Sequence, residues 1–239
     1  MTAPTPTAAP VNPQTTSVEE LTAALEHRLR RARGTVGTVS ELRALTGGAS
    51  RQTWSFTLTA PDESGALAAQ ELILRRDPPA AEEPERMAME TAAIRAAGRV
   101  GVPVPRVLAA SADDGPGGAP DPAEAALGGA YVVVTREAGE ALPPKLLADP
   151  AYAELLPALP RQLGRVLARI HQVPAAEVPQ LDDRDALDAL TEQYESTGDP
   201  VPALEIAFSW LRAHRPEATG DGLVHGDFRN GNLLITPEG

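Results

Sequence analysis

The chain has no cysteine, and aromatic residues make up only 3% of its 239 positions. The missing cysteines exclude disulfides, thiolate metal centres and a cysteine nucleophile. With so few aromatics the core must rest on Leu, Val and Ile, because much of the 42% hydrophobic content is alanine, which buries little area. Positive charge is also short: 21 Lys and Arg face 33 Asp and Glu, a net charge of -12. Such a balance argues against a nucleic-acid partner, whose phosphates call for a basic face. No apolar run approaches the ~20 residues that span a bilayer. The N-terminus lacks the basic and apolar regions of a secretory signal, so the sequence predicts no membrane association and a cytoplasmic location.

Residues 1–16, rich in Pro, Thr and Ala without periodicity, read as a disordered tail. Ser17-Val18-Glu19-Glu20 is a capping-box signature, and Leu21, Leu25 and Leu29 follow at helical spacing until Gly34 ends the helix. Strands are predicted at 39–45, around the alternating Trp54, Phe56 and Leu58, and at 71–76, with a turn at 61–65. Helical periodicity returns over 84–97, then two more strands are expected at 104–110 and 131–137, separated by a Gly/Pro/Asp-rich loop at 112–129 predicted to be mobile. Beyond 140 the strand signal fades into candidate helices at 151–172, 184–195 and 201–214. Residues 233–235 read as a short strand, and 236–239 as the turn of a hairpin whose second strand is absent. The predicted organisation is a tail (1–16), a strand-rich nucleotide-binding lobe (17–139) and a partial helical lobe (140–239).

The richest segment is Val224-His225-Gly226-Asp227-Phe228-Arg229-Asn230-Gly231-Asn232. His-x-Asp followed by Asn five residues after the Asp is the spacing of a kinase catalytic loop. There a carboxylate accepts the proton of the attacking hydroxyl and an amide oxygen holds Mg²⁺. Asp227 takes the first role and Asn232 the second; a carboxylate suffices because a loose transition state needs positioning more than a strong base. His225 is expected to orient the loop by hydrogen bonds. His171 reads as structural, while His27 and His214 sit near candidate helix ends and gather no acidic cluster, which argues against a metal-hydrolase site built on them.

With its apolar flanks, Leu223 to Leu234, this segment resembles the aminoglycoside phosphotransferase family, which includes choline-kinase-like small-molecule kinases. The resemblance covers roughly residues 35–239. It implies an α+β protein-kinase-like fold of two lobes, an antiparallel-sheet N-lobe and a mainly helical C-lobe, and transfer of the γ-phosphate of ATP or GTP, with Mg²⁺, to the hydroxyl of a small substrate. Gly226 stands where protein kinases carry Arg, the family's mark for small-molecule acceptors. Gly47, Gly48, Ala49 and Ser50 fall where the nucleotide-covering loop belongs, since absent side chains let backbone N–H groups approach phosphates. Arg75 occupies the place of the third-strand lysine that grips phosphates, and Glu90 that of its helix partner. Arg there brings a planar fork in place of a point charge. The stretch from Thr135 to Ala138, including Glu137, falls at the hinge, where backbone groups meet the purine edge.

The family's second metal-binding Asp, expected after the catalytic loop, is not found before Gly239. The sequence therefore reads as a C-terminally truncated kinase, expected to be inactive as this chain, in which an unpaired final strand leaves backbone groups open. Two other readings stay open at this level: a non-catalytic nucleotide-binding or scaffolding module, and an interaction protein that binds no nucleotide.

Overall fold

The computed structural model describes residues 16–45, 51–78, 81–115, 121–181, 184–217, 220 and 222–239. Helix α1, Val18–Arg33, begins at the predicted capping box: Ser17 Oγ accepts from Glu20 N–H at 3.1 Å while Glu20 accepts from Ser17 N–H at 2.9 Å. It ends at Gly34, whose left-handed φ of 70° lets its N–H close on Arg30 O. Strands β1 (Thr38–Leu45), β2 (Gln52–Pro61) and β3 (Leu67–Arg76) form an antiparallel meander, followed by helix α2 (Pro84–Arg99) and strands β4 (Val107–Ala110) and β5 (Tyr131–Thr135). The sheet order is β1-β2-β3-β5-β4, and every described pairing is antiparallel.

Both faces of the sheet are covered. On one, Leu21, Leu25 and Leu29 of α1 pack with Phe56, Leu58, Leu72, Leu74, Leu127 and Val133. On the other, Met87 of α2 packs with Ala110, Val132 and Val134. This explains why Tyr131 to Val134 are apolar without a break: β5 is buried on both sides, so alternation would place polar groups in a core.

The C-terminal half is helical, with α3 (Pro143–Ala148), α4 (Leu159–Ile170), α5 (Ala186–Ser196) and α6 (Pro202–Ala213). The architecture is the α+β, protein-kinase-like arrangement that the resemblance implies.

Four expectations need correction. Helix 151–172 breaks into a short 3-10 turn, Pro150–Tyr152, a run of turns and then α4, which starts with Pro160 in its first turn, where the missing N–H costs nothing. Strand 104–110 shortens to β4, because Pro103 and Pro105 lack ladder donors. The loop at 112–129 is not without regular structure: its described residues include the 3-10 turns Ser111–Asp114 and Pro122–Leu127, the second packed on α1 with Glu124 and Leu127 buried. Residues 233–235 do not form a strand, yet Ile235 is not left open: it pairs in both directions with Glu140, at 2.9 and 3.0 Å.

Candidate active site

The residues of the candidate catalytic loop are suspended between two isolated bridges. Upstream, Pro174 pairs with Gly222, and Leu223 N–H donates to Val173 O at 2.9 Å. Downstream, Ile235 pairs with Glu140, just past the end of β5. Each bridge depends on a glycine. Any side chain at Gly222 would meet the His171 backbone, and at Gly139 (φ 138°) it would meet Leu234 and Ile235 at 3.0 Å. Two apolar clusters seat the same ends. Leu223 and Phe228 pack with Ile170, Val173 and the C-terminal part of α2, and Ile235 and Leu233 pack with Leu146, Tyr152 and Leu155. Helix α2 thus shares a core with the loop, so Glu90 and Asp227 sit on elements joined by packing.

Within the loop, Asp227 is 59% exposed. Its Oδ2 accepts from Asn232 Nδ2 at 2.7 Å and its Oδ1 from Arg229 Nε at 2.8 Å. Asn232 Nδ2 also donates to the Asp227 carbonyl at 3.0 Å. The Asn232 amide is therefore held entirely through its nitrogen, which leaves Oδ1 uncommitted. His225 Nδ1 accepts from Asp227 N–H at 3.2 Å, so that nitrogen carries no proton. The ring stands edge-on to Phe228, centroids 5.4 Å apart. These contacts orient the loop; they do not aim a histidine proton at Asp227.

The second predicted pair also meets. Arg75 and Glu90 form an ion pair, with the arginine side chain 37% exposed and the glutamate 25%. The chain's one lysine, Lys145, pairs with Glu140 past the end of β5, so the cation beside Glu90 on β3 is an arginine. Glu90 also pairs with Arg51, a residue that the sequence reading passed over. Burial opposes the charge of Glu90, but Arg75 and Arg51 outweigh it and hold the carboxyl below the usual glutamate range. Arg51 directly follows Gly47, Gly48, Ala49 and Ser50, which lie outside the described residues. A charged residue next to a glycine-rich segment was the available sequence signal.

At the hinge, Thr135 N–H is spent on Arg106 O and Arg136 N–H on Glu71 O, both at 3.0 Å. Thr135 Oγ1 accepts from Arg106 N–H at 2.8 Å and donates to the Glu137 carboxylate. Glu137 is thus the first residue of the candidate hinge whose N–H has no acceptor among the described residues. His27 corrects an expectation of a different kind. It lies 3.3 Å from Glu124 and 3.8 Å from Asp121, acids brought by the chain from far away. Arg31 holds Glu124 at 2.7 Å and lies 3.9 Å from Asp121, so the cluster's negative charge is already matched by cations of the fold.

The fold and the loop define a kinase-like phosphotransferase. A sequence model of the Phosphotransferase enzyme family matches residues 41–239, and the chain belongs to that family. It is similar to acyl-CoA dehydrogenase family member 10 of Mus musculus, with 30% identity over 187 residues. That alignment covers 72% of this chain and 16% of the mouse protein. No solved structure matches. Among the described residues no helix is long and apolar enough to cross a membrane.

Proposed function

We propose that this protein transfers the γ-phosphate of ATP or GTP to the hydroxyl of a small substrate. The observation that carries the reading is the pairing of Asp227 with Asn232 in one loop, fixed at both ends and packed against the helix that bears Glu90. Asp227 orients the acceptor hydroxyl and takes its proton as the phosphoryl group moves, which requires Arg229 to release Oδ1. The uncommitted Oδ1 of Asn232 is a hard oxygen donor suited to Mg²⁺, which when bound neutralises phosphate charge. Arg75, aligned by Glu90, meets the α- and β-phosphates, and the free N–H at Glu137 suits the purine edge.

The test is nucleotide turnover with purified protein over a panel of hydroxylated small molecules, comparing wild type with Asp227→Ala. Loss of about 10²–10⁴-fold on substitution is expected for removal of a positioned base. Turnover of the variant near the wild-type level would sink the assignment. One observation favours a second reading, nucleotide binding without transfer: both carboxylate oxygens of Asp227 are already engaged. In that case Mg²⁺-nucleotide binds to wild type and no acceptor supports turnover.

A further inference from the structure

Arg51 lies immediately before β2 with only 13% of its side chain exposed. Its Nε donates to Asp77 Oδ1 at 2.8 Å, and one terminal nitrogen binds Glu90 Oε2. The other oxygen of Glu90 receives Arg75. Asp77, 5% exposed, uses its second oxygen to accept from Glu83 N–H at 2.9 Å, next to the first turn of α2. Asp77, Arg51, Glu90 and Arg75 thus form one chain of alternating charge, with two carboxylates and two guanidinium groups. It ties the end of β3 and the start of β2 to both the beginning and the middle of α2. Without Arg51, Asp77 would be a buried carboxylate with no cationic partner, and Glu90 would be free to rotate about its contact with Arg75.

The network does something a single lysine–glutamate pair cannot. Lysine presents a point charge that tolerates any direction of approach, whereas the guanidinium of Arg75 is planar and useful only when its plane is set. Glu90 anchors one terminal nitrogen of that guanidinium, and Arg51 in turn fixes Glu90 by holding its other oxygen. We propose that Arg51 is a positioning residue for nucleotide phosphates: with Asp77 it locks Glu90 so that Arg75 is presented in one orientation before nucleotide arrives. The inference rests on the kinase reading, and the ligand class is a nucleoside triphosphate. Arg51 acts through Arg75, and two of its three nitrogens are spent on carboxylates.

The experiment uses the full chain and a fluorescent ATP analogue with Mg²⁺. Affinities are measured for wild type, Arg51→Lys, Arg75→Met and the double variant, alongside thermal melting without nucleotide. Arg51→Lys keeps the charge but cannot span both carboxylates. It is expected to lower affinity roughly tenfold, a coupling typical of residues in one network. Adding Arg51→Lys to Arg75→Met should cost no further affinity, because a positioning residue has nothing left to position. An affinity of Arg51→Lys equal to wild type, or additive losses in the double variant, overturns the proposal and leaves the kinase reading intact. Failure of wild type itself to bind the analogue overturns both. If Arg51→Lys lowers the melting temperature while the surviving folded protein binds with wild-type affinity, the role is structural and the proposal also fails.

Discussion

Gly222→Ala should damage the protein out of proportion to one methyl group. A Cβ built on Gly222 lies 2.0 Å from the His171 carbonyl oxygen and 2.9 Å from its carbonyl carbon, and both are backbone atoms that cannot swing aside. Relieving the contact needs the two segments to part by about 1 Å, which stretches the 2.9 Å bond from Leu223 N–H to Val173 O beyond hydrogen-bonding range. The lost bond is worth about 1 kcal/mol and the forced shift roughly 1–3 kcal/mol, so the total is about 2–4 kcal/mol. At ~2–4 °C per kcal/mol for a chain of this size, the melting temperature should fall by roughly 5–15 °C. Gly164→Ala supplies the opposite sign. Gly164 sits inside α4 with nothing within 4 Å of a new Cβ, so the change should stabilise by about 0.5–1 kcal/mol. Calorimetry on the three proteins decides the matter. A Gly222→Ala variant melting within about 2 °C of wild type would refute the bridge as a backbone constraint.

Glu90 gives a pH dependence. Because its folded-state carboxyl titrates below the ordinary range, its stabilisation is present above the unfolded value of about 4.3 and is lost as pH falls through the folded one. The stability gap between wild type and Glu90→Gln, measured by chemical denaturation at neutral pH, should therefore close in acid below about pH 4; a gap that persists there contradicts the ion pairing. Trp54 tests an orphaned donor: its Nε1 is buried without a partner. Trp54→Phe should stay within ~1 kcal/mol of wild type, since removing an unsatisfied N–H offsets the lost ring area, while Trp54→Ala should cost about 3 kcal/mol. A Phe variant as unstable as the Ala variant, by urea titration, would show that the indole N–H is satisfied after all.

Much of this molecule was legible one residue at a time. The capping box at Ser17 and the stop at Gly34 were readable because a helix cap is a contact between residues three or four apart. The Asp227–Asn232 contact was readable for the same reason: a five-residue loop brings its own ends together. The Arg75–Glu90 pair was expected from the family resemblance, and the two side chains meet. Other features failed where the partner came from far along the chain. Nothing beside Arg51 in the sequence marked it out, and its partners Asp77 and Glu90 lie well downstream. His27 looked isolated until the turn at Pro122–Leu127 brought Asp121 and Glu124 to it. Residues 112–129 read as a plain loop because Gly, Pro and Asp are turn formers wherever they occur, and sequence does not reveal that α1 supplies a surface for the turn Pro122–Leu127.

The division follows from the range of the forces involved. By itself the sequence determined most element types, the family and the candidate catalytic loop, since hydrophobic period, caps and short loops act between near neighbours. Only the tertiary structure decided that Ile235 pairs with Glu140, that Gly222 rests on His171, and that Glu90 is shared by two arginines. These contacts join segments far apart in the chain, where side-chain reach and backbone direction count and sequence spacing carries no information.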